Sequence, residues 1–212
     1  MINLIKKDLR VAFSNRFTNI MLLLFFPFVL FFIGSESTDV LFMFSTFIFV
    51  FSLSKITFVF EMRDKSHIFI QSLPVTKKDM VVSKYISIFI YFVMGSIYTL
   101  AYIWIFKLLG IINMDKIQFS IILSTLGFIT VALSLSLPMQ FRFPLKTANF
   151  INMMFFMIII IFISLTKGDF SKFLNLDLNN IYIKLAITGG IVAVYFISIG
   201  VSIALYQTRK FY

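Results

Sequence analysis

The chain has no cysteine and a single histidine, His67. Without thiols there is no disulfide framework and no cysteine metal site, and one imidazole argues against a histidine-based metal centre. No G-x-x-x-x-G-K-S/T phosphate loop occurs anywhere in the 212 residues. If ATP drives this protein, a separate subunit must bind it. Charge is also scarce, with charged residues at 13% where a soluble globular domain has about 25%. The hydrophobic share is 60% against a usual value of about 45–50%, and the mean hydropathy is +0.99. A water-soluble protein this apolar could not cover its surface with polar groups. The solvent for most of the chain is lipid.

Crossing about 30 Å of hydrocarbon takes about 20 apolar residues, and six segments qualify: Phe17–Ile33, Val40–Phe60, Tyr85–Phe106, Ile117–Leu137, Thr147–Leu165 and Ile183–Tyr206. The expected fold is therefore all-α and integral to the membrane, as one domain over residues 1–212 without a flexible linker or an internal repeat. The first apolar stretch is longer than the h-region of a signal peptide, about 7–15 residues. Gly34-Ser35-Glu36-Ser37 also lacks a small-residue cleavage site, so this stretch is read as a span.

Orientation follows from the distribution of lysine and arginine. With the N-terminus inside, Lys6, Lys7, Arg10, Arg16, Lys55, Arg63, Lys65, Lys77, Lys78, Lys84, Arg142, Lys146, Arg209 and Lys210 are cytoplasmic. Only Lys107, Lys116, Lys167, Lys172 and Lys184 lie outside. Asp8, Glu61, Asp64 and Asp79 are inside, and the other five acidic residues, Glu36, Asp39, Asp115, Asp169 and Asp177, are outside. The whole formal charge of +10 then falls on the inner face. It reads as topology and contact with anionic lipid, not as nucleic-acid binding. Both termini are expected in the cytoplasm. Tyr98, Tyr102 and Trp104 at one end of the third span, and Tyr85 at the other, suit interfacial belts.

The spans hold no carboxylate and no histidine. Ion-coupled transport and proton relays need such groups within the bilayer, and intramembrane proteolysis needs a Ser/His pair, paired Asp or Glu/His groups there. Neither chemistry can be drawn, so the chain is read as non-catalytic. Lys55 is the one charge well inside a span, six residues before Glu61 and so about 9 Å of helical rise away. It is expected to snorkel to the inner interface. Ser52, Ser54, Thr57, Ser124, Thr125, Thr130, Ser134 and Ser136 read first as helix-to-helix or local backbone partners. Gly189/Ala193 and Gly200/Ala204 would allow close packing of the sixth span, and Pro27 would kink the first.

Two stretches lie outside the spans yet are not plain linkers. In residues 1–16, Ile2, Ile5, Leu9 and Phe13 recur at helical spacing with Lys6, Lys7 and Arg10 opposite, as in an amphipathic helix lying on the inner leaflet. Residues 61–84 open with Glu61, Arg63, Asp64 and Lys65, continue through Ser66 and His67, and reach a short apolar run, Ile68-Phe69-Ile70. After Leu73, Pro74 stops any helix arriving from before it. Thr76 can cap a new helix, with Asp79 near its positive end. A solvated linker would not need exposed Ile68 and Phe69, so a partner protein is expected on this loop.

This loop and its setting resemble the permease subunits of ABC-2-type exporters. The pattern of a glutamate, charged residues, an apolar–aromatic pair and then Leu-Pro-small-Ser/Thr-Lys/Arg is carried by Glu61, Ile68, Phe69, Leu73, Pro74, Val75, Thr76 and Lys77. The motif covers Glu61–Tyr85, and the architecture covers the whole chain. Within the family the chain resembles the permeases that export phenol-soluble modulins, the amphipathic cytolytic peptides of staphylococci. The resemblance implies a bacterial cell-membrane exporter with six transmembrane helices, an N-terminal amphipathic connecting helix and a cytoplasmic coupling helix between the second and third spans. It implies that Glu61, Arg63, Asp64, Lys65, Ser66, His67, Ile68, Phe69, Leu73 and Pro74 couple the chain to cytoplasmic ABC ATPase subunits. ATP and magnesium would sit on those partners, with no cofactor on this chain, and a second permease would complete the assembly. Residues 166–182, with Phe170, Phe173, Leu174, Leu178 and Ile181 on one face, look like the family's outer re-entrant segment. The alternative is a membrane immunity or regulatory protein that transports nothing.

Overall fold

The computed structural model describes residues 2–14, 16–33, 38–63, 76–110, 119–165 and 181–208. These form seven helices: α1 (Ile2–Ala12), α2 (Arg16–Ile33), α3 (Thr38–Arg63), α4 (Lys77–Leu108), α5 (Phe119–Arg142), α6 (Leu145–Leu165) and α7 (Ile181–Thr208). The described chain is all helical. Among the described residues, four helices contain stretches long and apolar enough to cross a membrane: Thr38–Glu61, Lys77–Leu108, Phe119–Arg142 and Leu185–Thr208. The expected second, third, fourth and sixth spans fall on them, and the first and fifth fall on the helices α2 and α6. The segment expected to be re-entrant lies, up to residue 180, outside the described residues.

Helix ends are set by local chemistry. The Thr76 hydroxyl accepts from the Asp79 backbone N–H at 3.1 Å and donates to the Asp79 carboxylate at 2.7 Å, which satisfies a donor that the first turn otherwise leaves open. Capping here starts α4 eight residues before Tyr85, where lipid-length counting had placed the span. At the far end, Gly110 takes φ +70 and its N–H closes on the Lys107 carbonyl at 3.0 Å. That left-handed conformation is open to glycine without a Cβ penalty.

The chain divides into two compact units, residues 1–129 and 130–212, with the boundary inside α5. In the first, α3 is the central element. Nearly every side chain from Val40 to Phe51 is buried, as expected for a helix that is apolar on all sides. Gly95 lets α4 approach it: a Cβ at that position would lie 3.0 Å from Phe49 and 3.2 Å from Val50. Thr46 donates to Thr99 across the same contact at 3.3 Å. Phe26, Phe42 and Ile103 form a buried cluster, with Tyr98, Tyr102 and Phe106 packed against it.

Proline within a helix removes an N–H and leaves the carbonyl four residues earlier without its usual donor. Pro27 in α2 does this to Leu23, and the Tyr102 hydroxyl fills the place at 2.9 Å, with Tyr98 at 3.2 Å. The belt expectation is corrected accordingly. Tyr85 is fully buried, Tyr98 and Tyr102 turn to α2, and Trp104 alone of the four is exposed.

In the second unit α7 presents Ser198, Ser202 and Tyr206 at four-residue spacing as its buried stripe. Tyr206 packs edge-to-face on Phe141, 5.4 Å between centroids. Ser136 donates to the Asn152 side-chain oxygen at 2.7 Å and accepts from Gln140 at 3.1 Å. Among the described residues, a Cβ at Gly189 or Gly200 would meet nothing within 4 Å. Within this unit it is the serine stripe that packs on the neighbouring helices.

Candidate functional site

Four charged side chains converge where α1, α3 and α4 meet. The residue four before Ala12, Asp8, shares the buried face of α1 with that alanine. Glu61 stands in the last turn of α3, and Lys84 stands two turns into α4, where the Thr76 cap sets its height. The Lys84 ammonium lies 3.0 Å from Asp8 and 3.0 Å from Glu61. Lys7 lies 3.3 Å from Asp8 and also pairs with Glu61. The set is balanced, two cations against two anions.

Three of the four are buried, with Asp8 1%, Lys84 8% and Glu61 9% exposed, and Lys7 is half-buried. Each ion loses several kcal/mol of hydration, about that much even after relaxation, and only close, multiply bonded geometry offsets it. Both lysines reach both carboxylates, which supplies that geometry. Lys84 also lies over the Phe58 ring, 5.0 Å from its centroid. Burial pushes the Asp8 carboxyl above its ordinary value, against the opposing pull of Lys84 and Lys7. Its second oxygen, Oδ2, is buried with no hydrogen-bond partner among the described residues.

The expected coupling residues divide around this cluster. Glu61 belongs to it and is turned into the chain. Arg63 closes α3, with its side chain outside the described residues. Asp64, Lys65, Ser66, His67, Ile68, Phe69, Leu73 and Pro74 also lie outside them. What the cluster adds is the pair of helix ends flanking residues 64–75, joined to each other and to α1. By sequence position alone Asp8 and Lys84 count only as topology charges. Their signal was nonetheless present: Lys84 interrupts the run Val81–Phe92, where a buried ammonium needs an anion.

A second polar feature is Lys55. Its ammonium lies over the Phe51 ring, 4.3 Å from the centroid. Phe51 lies one turn from Lys55 on the side away from Glu61, so the side chain points deeper into the span and does not snorkel toward Glu61. Helical side chains lean toward the N-terminus of their own helix, which opposes the reach that snorkelling requires here. A lysine at the bilayer centre costs about 2.5–3.5 kcal/mol, and a cation–π contact returns about 0.5–2 kcal/mol. The ring alone does not balance the charge. Among the hydroxyls, Thr57, Ser124 and Thr125 bond to carbonyls of their own helices, as expected.

An all-helical chain with several apolar helices of spanning length and charge gathered at their ends is a multi-pass membrane protein. The family model described as ABC-2 family transporter protein matches residues 3–207, nearly the whole chain. The chain belongs to the ABC-2 transporter family, the membrane permease subunits of ABC transporters, and that membership implies an ABC ATPase as partner. No curated protein and no solved structure matches it.

Proposed function

We propose that this chain is the permease of an ATP-driven exporter, crossing the bacterial cell membrane six times with both termini in the cytoplasm. The four-charge cluster carries the reading. It ties α1 to the ends of α3 and α4 that flank residues 64–75, and in this scheme those residues receive the ATPase. Closure of the ATP-loaded partners pushes on the loop, α3 and α4 tilt, and Lys84 passes the displacement to α1 through Asp8. A rigid ionic joint suits that task because its members cannot separate without stranding a buried charge.

A second permease subunit completes the pathway, and α1 rests on the inner leaflet with Ile2 and Phe13 toward lipid; both are exposed. The cargo is amphipathic or hydrophobic, with cytolytic peptides of the phenol-soluble modulin kind as the example. The 30 phenylalanines of the chain suit a passage for such molecules.

Affinity purification in mild detergent tests the reading. An ABC ATPase should accompany the wild-type chain and be lost from the Ile68→Asp/Phe69→Asp variant. A preparation free of ATPase, taken from cells in which the protein functions, would instead favour a membrane protein that transports nothing.

A further inference from the structure

From Val40 to Phe47 α3 is buried on every side, but beyond that it opens along one stripe. Ile48, Ser52, Lys55, Ile56, Val59 and Phe60 are half-buried while their neighbours at intervening positions are buried. Their spacings of four, three, one, three and one place them on a single helical face. It carries the one charge lying well inside a span of this chain. Lys55 has no acidic partner among the described residues, and its contact there is the Phe51 ring. Ser52, one turn away on the same stripe, makes no hydrogen bond to the described residues, whereas Ser54 nearby is buried and off the stripe.

An ammonium and a hydroxyl, three residues apart on an otherwise apolar stripe, form a receptor for an anionic oxygen group held within an apolar molecule. A second copy of the chain does not supply that anion. The acidic residues all fall outside or at the ends of the apolar runs of the sequence, and the same face of another copy would bring Lys55 against Lys55. Acyl chains supply no counter-charge at all.

We propose that the α3 stripe binds an amphiphile bearing an anionic group, with Lys55 pairing the anion, Ser52 donating a second hydrogen bond, and Ile48, Ile56 and Val59 contacting the apolar part. The inference rests on the permease reading and narrows its cargo class to anionic amphiphiles.

The test uses the full chain in phosphatidylcholine nanodiscs, without an ATPase. Two fluorescent probes are compared: a dansyl-labelled alkyl sulfonate, and the neutral dansyl-labelled alcohol of the same chain length. Lys55→Met should bind the sulfonate about ten-fold more weakly than wild type, the scale of one charge-assisted hydrogen bond. It should bind the alcohol as wild type does, and Lys55→Arg should retain the sulfonate preference. Equal sulfonate affinity in Lys55→Met, or an equal loss for the alcohol, would overturn the proposal. Loss of the difference between wild type and Lys55→Met when phosphatidylglycerol is added would also overturn it, by making a lipid headgroup the occupant. Because binding is read without the ATPase, failure here leaves ATPase association intact, and failure of that association leaves this result standing.

Discussion

Ser198 of α7 donates its hydroxyl to the carbonyl of Ser134 in α5 at 2.5 Å, and Ser134 is the residue four before Pro138. The same arrangement joins Tyr102 to Leu23, four residues before Pro27. In each case a hydroxyl from another helix replaces the donor that proline removed. Lipid offers no water to do so, which makes such replacement a condition for proline inside a span. Ser198→Ala should cost about 1 kcal/mol, within the range found for hydrogen bonds between membrane helices. In a Pro138→Ala background the backbone N–H returns, and Ser198→Ala should then cost less than it does in the wild-type chain. Thermal unfolding in detergent of the four proteins of this cycle decides it.

The ionic joint predicts a second cycle. Lys84→Met keeps the apolar stem but takes from Asp8 and Glu61 their most buried cation, while Lys7, 31% exposed at its side chain, remains. Removing one partner of a buried ion group costs about 3–5 kcal/mol. Adding Glu61→Gln to Lys84→Met restores the charge balance and should recover a large part of that loss. Equal stability of Lys84→Met and wild type would contradict the burial of this group.

The pH dependence of Asp8 has a defined sign. Burial raises its folded pKa above the ordinary aspartate value of 3.8. The folded state therefore holds the proton more tightly than the unfolded state, and stability falls as pH rises through the folded pKa. Asp8→Asn removes this dependence. As pH is lowered toward 4, the stability of wild type relative to Asp8→Asn should increase, measured by unfolding at matched ionic strength. A relative decrease would mean that Lys84 and Lys7 outweigh burial.

Two glycines should behave oppositely. Gly95→Ala places a Cβ 3.0 Å from Phe49 and 3.2 Å from Val50, a degree of overpacking that costs about 1–3 kcal/mol. Gly200→Ala adds a Cβ with nothing within 4 Å and should be neutral to about 0.5 kcal/mol. Unfolding midpoints of both variants check the contrast.

Much of this architecture was legible because lipid imposes one strong rule, the apolar run of spanning length. Runs in α3, α4, α5 and α7 were found on that basis, and the Thr76–Asp79 cap was readable because its two partners are three residues apart. Contacts between distant residues were not legible. Asp8 and Lys84 are separated by 76 positions, and no local pattern says which lysine answers which carboxylate. The small pairs in α7 show the same limit: spacing shows which residues share a face, not which neighbours cover that face. Each in-helix proline requires a donor, as Tyr102 and Ser198 supply, but the sequence does not name the helix that provides it.

Site-specific photo-crosslinking in intact cells is the most direct test of the central claim, that an ABC ATPase docks on residues 61–74. A photoreactive amino acid replaces Phe69 in one strain and Trp104, an exposed residue near the far end of α4, in another. The predicted result is an ATPase adduct from position 69 and none from position 104. A functional chain that forms no ATPase adduct at position 69, or forms the same adduct at both positions, would contradict the account.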